Sequence, residues 1–239
     1  MSTAGPDTSA DQGRTQRVGP PQAVLWDMDG TLVDTEPYWI ATEYAMAEKY
    51  SATWSHEHAM KLVGNDLLES GAYIKAHMGL AQSPAEVVEE LLDGVVARVN
   101  ESVPWRPGAR DLLGELQARG VRCALVTMSW TRFVEPILAD LGHDVFEVVV
   151  TGDRVERGKP HPDPYLLAAA ELGLDPADCL AVEDSSTGAS SAQAAGCGLL
   201  VVPHYVQVPT APGRVFRDTL VGLTPDDLGA VLTESAAGR

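Results

Sequence analysis

Five short, almost wholly apolar runs recur along this chain: AVLWD (23–27), VRCALVT (121–127), VFEVVVTGD (145–153), CLAVED (179–184) and GLLVVP (198–203). Each closes on a polar, acidic or turn-forming residue. Segments with helical spacing, 107–119, 130–141, 163–172 and 186–195, lie around the last four runs. A run without polar alternation suits a strand buried on both faces, and strands separated by helices must cross over and pair in parallel. The fold class expected is therefore α/β, a doubly wound Rossmann-like parallel sheet with helices on both faces. The stretch FRDTLVGLTPDDLGAVL adds an edge strand and a closing helix.

Between the first two runs the chain travels some 90 residues, where a simple crossover unit needs only about 30. Residues 36–103 read almost wholly as helix, with apolar stripes at Leu67, Leu68, Ala72 and Ile74, then Val87, Val88, Leu91, Leu92, Val95 and Val96. This predicts an all-helical cap domain over 36–103, inserted into an α/β core of 22–35 and 104–239. Residues 1–21, polar and rich in Pro and Gly, predict a disordered tail with no apolar stretch for a secretory signal.

Composition removes several function classes. No apolar run approaches the roughly 20 residues of a membrane span. A net charge of −17 disfavours nucleic acid and anionic membrane partners. Cys123, Cys179 and Cys197 form no CxxC pair, which predicts reduced thiols and a cytoplasmic protein. An anionic substrate would need positive charge supplied locally.

In a doubly wound sheet, ligands gather beyond the carboxyl ends of the strands. There the first run delivers Asp27, Asp29, Gly30 and Thr31, and the second Thr127, Met128 and Ser129. The third is followed by Lys159, one of four lysines in the chain, and the fourth delivers Glu183 and Asp184. Taken singly, these are ordinary: an aspartate or threonine after a strand caps helices, and a lysine sits in solvent. Together, carboxylates crowded at one edge repel one another unless a hard divalent cation such as Mg²⁺ joins them. Cation and lysine then attract a dianionic phosphoryl group, with Gly30 allowing close backbone approach and the paired aspartates serving as nucleophile and acid/base.

In this order DMDGT, the Thr of LVTMS, the Lys of GKPHP and EDS resemble the four motifs of the haloacid dehalogenase-like superfamily of phosphatases, over residues 23 to about 203. The resemblance implies Asp27 as nucleophile and Asp29 as acid and base. It implies Mg²⁺ held by Asp27, the Asp29 backbone carbonyl and Asp184, with Glu183 a direct or water-mediated helper. Thr127 and Lys159 would hold phosphoryl oxygens. Gly30, Thr31, Met128, Ser129, Asn65 and Trp39 are the expected substrate contacts, Asn65 through a cap loop that reaches over the site.

DTEPYW, KPHPDPYL and EDSSTGASSAQAAG are most similar to the β-phosphoglucomutase-like and sugar-phosphate phosphatase subgroup. Asp29 and Asp184 speak against dehalogenation. Trp39 where mutase relatives carry His, and no basic residue in VGNDLLES, speak against a mutase. The expected function is phosphomonoester hydrolysis of a small phosphorylated metabolite, with a sugar phosphate foremost. A phosphomutase and a catalytically silent binding module are the alternatives. His56 and His58 read as a solvated helix start, and Trp39 and Trp130 either as pocket walls or as packing between cap and core.

Overall fold

The computed structural model describes residues 19–63, 65–142 and 144–238. Of the expected tail, residues 1–18 lie outside the described residues. Pro21 is already buried, and the Gly19 carbonyl abuts Gly229, where any Cβ would overlap it.

Six strands form one parallel sheet in the order β3-β2-β1-β4-β5-β6. They are β1 (Ala23–Trp26), β2 (Arg122–Val126), β3 (Val148–Val150), β4 (Cys179–Glu183), β5 (Gly198–Val201) and β6 (Arg214–Phe216). Trp26 pairs in register with Leu125 of β2 and Val182 of β4, so the next residues of all three strands emerge at one level. Strand order reverses between β1 and β4, the switch point at which α/β sheets bind ligands.

Both faces are covered, as the apolar runs require. Val24 and Trp26 join a core with α5 (Ala109–Ala118), α6 (Thr131–Leu141) and α9 (Pro225–Ala237), while Ala23 and Leu25 face α7 (Asp163–Glu171) and α8 (Ser186–Ala195). The helix expected from 107 begins at Ala109, because Gly108 takes φ +83°, at a place where an added Cβ would overlap the Leu220 backbone.

Between β1 and β2 stand α1 (Glu36–Lys49), α2 (His56–Met60), α3 (Leu67–Met78) and α4 (Pro84–Glu101). Ser83 and Glu86 close a capping box at the start of α4, with Pro84 in the first turn. Val87 and Leu91 of α4 bury among Met46, Trp54, Ile74 and Met78 within the insertion. Val88, Leu92, Val95 and Val99 join the core that includes Phe133 of α6. One helix thus carries two apolar stripes and fastens the insertion to the sheet layer.

The stripe expected on α3 holds at Ile74, which is buried, and at Leu67, which is half-buried against the core, and is corrected at its other two positions. Leu68 and Ala72 are exposed, and the buried line is Ser70, Gly71, Ile74 and Met78. Its first turn is small because α4 comes close there: a Cβ on Gly71 would lie 2.5 Å from the Pro84 carbonyl oxygen and 2.8 Å from Val88 Cγ2. Overpacking of this kind costs about 1–3 kcal/mol. Gly71→Val is therefore expected to lower the urea unfolding free energy by about that much. An unchanged midpoint would show that α3 and α4 can separate freely.

Candidate active site

The loops leaving β1 to β4 converge on one ammonium. Lys159 Nζ donates to Asp27 Oδ1 at 2.7 Å, to Glu183 Oε1 at 2.7 Å and to the Val126 carbonyl oxygen at 2.8 Å. These three bonds use every proton that an ammonium has. The side chain is 4% exposed. Burial works to lower the Lys159 pKa, but the charges of Asp27 and Glu183 outweigh it and hold the group above its ordinary value.

Glu183 is fully buried and is bonded on both oxygens. Oε1 also accepts from Tyr165 Oη at 2.6 Å, and Oε2 accepts from Ser185 Oγ at 3.2 Å. Gly188 in the first turn of α8 makes room for it, since a Cβ there would overlap the carboxylate. Asp27 is held on one side only: Oδ2 is buried and, among the described residues, has no hydrogen-bond partner.

Asp27, Glu183 and Asp184 each bring one carboxylate oxygen within 4.8 Å of the others. Burial first, then the neighbouring Glu183 charge, pushes Asp27 up to about 7 despite Lys159. Burial and the charges of Asp27 and Glu183 push Asp184 up to about 9. A trio of hard oxygen donors, two of them, Asp27 and Asp184, with raised affinity for protons and one oxygen of Asp27 left without a partner among the described residues, fits a divalent cation. Gly30, at φ +84°, passes so close to Asp184 that a Cβ would overlap its carboxylate.

Asp29 is held differently. Thr35 Oγ1 donates to Oδ1 and Ser129 Oγ to Oδ2, both at 2.6 Å, while burial keeps its pKa above the ordinary value. Thr35 stands at the N-cap position of α1 yet makes no cap bond with its side chain. Its hydroxyl serves the site instead. Thr127 Oγ1 accepts from the Ser129 amide at 3.0 Å, and Met128 Sδ accepts from the Lys159 amide at 3.2 Å. The cis Lys159–Pro160 peptide follows.

These groups open onto a cavity of about 760 Å³ between the strand ends and the helical insertion. Of the sequence-predicted residues, Asp29, Gly30, Trp39, Asn65, Thr127, Met128, Ser129, Lys159 and Asp184 line it. Asp27 and Glu183 lie behind, joined to it through Lys159. The structure does not bring Thr31 there: its side chain is buried, with the hydroxyl unpartnered among the described residues. Asn65 Nδ2 donates to the Lys61 carbonyl at 2.8 Å, leaving the amide at the rim. Trp39 both lines the cavity and meets Phe133 edge-on at 5.2 Å, and Trp130 lines it too. His58 closes a capping box with Ser55 and lies against Trp54 at 4.8 Å, while His56 is exposed.

Four contributors escaped the sequence reading: Thr35, Tyr165, Glu43 and Arg106, whose guanidinium donates to the Gly30 carbonyl. Only Thr35 carried a signal, a hydroxyl one residue before a helix.

A parallel sheet with acids at its switch point, a lysine among them and a helical insertion after the first strand defines a Rossmann-like enzyme of the phosphoryl-handling kind. Residues 24–202 match the haloacid dehalogenase-like hydrolase family, and the chain belongs to it. It is 34% identical over 192 residues to hexitol phosphatase A of Escherichia coli, covering 77% of this chain and 84% of that one. It is likewise 34% identical over 208 residues to the N-acetylmuramic acid 6-phosphate phosphatase of Pseudomonas aeruginosa, covering 84% and 90%. Among solved structures, Rhodobacter sphaeroides CbbY in complex with xylulose-1,5-bisphosphate superposes with a TM-score of 0.76 at 27% identity, covering 85% and 96%. No described helix is long and apolar enough to cross a membrane.

Glu43 yields a pH test. It is 2% exposed, and burial raises it from 4.5 to about 7 despite a hydrogen bond from Trp54. A carboxyl whose folded pKa exceeds its unfolded one favours folding at low pH and loses that contribution as pH rises from 4.5 through 7. Glu43→Gln is therefore expected to gain stability over wild type at pH 8, by up to about 3 kcal/mol, and little at pH 4. Equal differences at both pH values in urea titrations would remove the assigned shift.

Proposed function

We propose that this protein is a Mg²⁺-dependent phosphomonoester hydrolase that works on a small phosphorylated metabolite through an aspartyl phosphate on Asp27. The observation that carries the reading is the state of Asp27: one oxygen is fixed by Lys159, the other has no partner among the described residues, and the carboxylate clusters with Glu183 and Asp184. Family membership supports it, as do relatives named for phosphatase activity.

Asp27 attacks phosphorus in line with the leaving oxygen. The ester P–O bond breaks, its electron pair goes to that oxygen, and Asp29 supplies the proton. Burial, which raises Asp29, suits it to carry that proton. In the second half Asp29 takes a proton from water, water oxygen bonds to phosphorus, and the bond to Asp27 breaks. Inorganic phosphate and the free carboxylate result. Lys159 neutralises Asp27 throughout, and Thr127 with the backbone amides of its loop receives phosphoryl oxygens.

Asp27, the Asp29 carbonyl and Asp184 would hold the cation, with Glu183 behind them orienting Lys159. Bound there, Mg²⁺ supplies the charge that keeps these acids ionised and offsets that of the phosphoryl oxygens. The cavity between core and insertion supports closure that excludes water, with the chain crossing at 33–36 and 103–107 as hinges.

Wild-type protein is expected to hydrolyse p-nitrophenyl phosphate with Mg²⁺ and to stop when EDTA is added. Asp27→Asn is expected to lower the rate about 10³-fold or more; undiminished turnover in that variant would discard the nucleophile. No turnover by wild type would favour a silent binding module.

Metal binding has a reading independent of catalysis. Saturating Mg²⁺ is expected to raise the wild-type melting temperature, by an amount equivalent to about 3 kcal/mol at 100 times Kd, and to leave Asp184→Asn nearly unmoved. Equal shifts in both proteins would place the cation elsewhere.

A further inference from the structure

The part of the cavity under the helices has its own chemistry, and it bears on the leaving group. Glu36, Trp39 and Glu43 recur at i, i+3 and i+7 on α1, so they share one face, and all three line the cavity. Glu43 is 2% exposed; its Oε2 accepts from Trp54 Nε1 at 3.0 Å, while Oε1 has no hydrogen-bond partner among the described residues. From α3, Ser70 lines the same cavity at 4% exposure, its hydroxyl likewise unpartnered among the described residues. Neither oxygen is fully enclosed, so both open onto the cavity, where hydroxyls of a ligand can bond them.

The charge of this wall is one-sided. Asp34, Glu36, Glu43, Asp66 and Glu156 line the cavity, and among the described residues Lys159 is the one cationic side chain that does. Its three protons are committed to Asp27, Glu183 and Val126. Trp39, half-buried, adds a flat apolar surface.

We propose that the helical half of the cavity is a polyol subsite: it takes a neutral, polyhydroxylated leaving group, a sugar or sugar alcohol, and turns away one that carries a carboxylate or a second phosphate. Glu36 and Glu43 accept hydrogen bonds from neighbouring hydroxyls, and Ser70 donates to a sugar oxygen. The Trp39 ring covers the C–H face. An anionic group would meet two carboxylates with no cation to pair it. Burial raises Glu36 and Glu43 to about 7, so both are ionised at pH 8.

This inference rests on the phosphatase reading, and its test separates the two. At pH 8 with Mg²⁺, wild type is assayed on p-nitrophenyl phosphate, sorbitol 6-phosphate and 6-phosphogluconate. The last two differ in bearing CH₂OH or COO⁻ at carbon 1. The expected kcat/KM for sorbitol 6-phosphate is higher by about tenfold or more. Glu43→Gln is expected to shrink that ratio about tenfold, and Ser70→Ala to lower kcat/KM for sorbitol 6-phosphate by about threefold to tenfold. If wild type hydrolyses p-nitrophenyl phosphate but shows a ratio near or below one, the subsite is overturned and the phosphatase stands. A ratio that Glu43→Gln leaves unmoved overturns it as well. If wild type hydrolyses none of the three, both readings fall.

Discussion

The Lys159 ammonium is the one group on which the site's geometry depends. It bonds a carboxylate from the end of β1, a carbonyl from β2 and a carboxylate from β4, while its own loop follows β3. Four strand ends are thereby referred to one atom. Buried ion pairs of this kind add little to stability over an apolar replacement, but losing one partner strands the other charges, at a cost of about 3–5 kcal/mol. What the arrangement secures is position. Glu183, bonded also by Tyr165, fixes the lysine from behind. Asp27 is left with one oxygen restrained and one buried without a partner among the described residues.

Much of this was legible in the sequence because two simple patterns coincide. Short apolar runs that end on turn residues suit strands covered on both sides, and in a parallel sheet their ends share one edge. The residues after those runs, Asp27, Thr127 and Glu183, therefore had to meet. Lys159 follows from the same rule, although its loop is longer. On α3 apolar spacing marks Ile74 but not the rest of the buried face, because Leu68 and Ala72 turn outward. The actual buried line runs through Ser70 and Gly71, chosen for closeness to α4 rather than for hydrophobicity.

Other omissions have a shared cause. Glu43 looks like a solvent-facing helix residue, and its burial depends on Trp54 from beyond the helix end. Arg106 reaches the Gly30 carbonyl across a sequence gap that no local pattern spans. Thr35 occupies a place where a hydroxyl ordinarily bonds its own helix, and tertiary geometry redirects it to Asp29. Side chains whose partners are fixed only by the assembled fold leave no periodic trace.

The insertion enters and leaves the core at a single seam. Val33 bridges Trp105, the Asp34 amide donates to the Pro104 carbonyl at 2.8 Å, and the Arg106 amide donates to the Leu32 carbonyl at 2.8 Å. Everything between is one uninterrupted stretch of chain, and it supplies the wall formed by Glu36, Trp39, Glu43 and Ser70. The architecture is thus modular in the chain: a single graft with two crossing points would exchange the helical wall of the cavity while the strand ends keep their scaffold. Diversification of such proteins can proceed by replacing that cassette, leaving the strand-end chemistry as inherited.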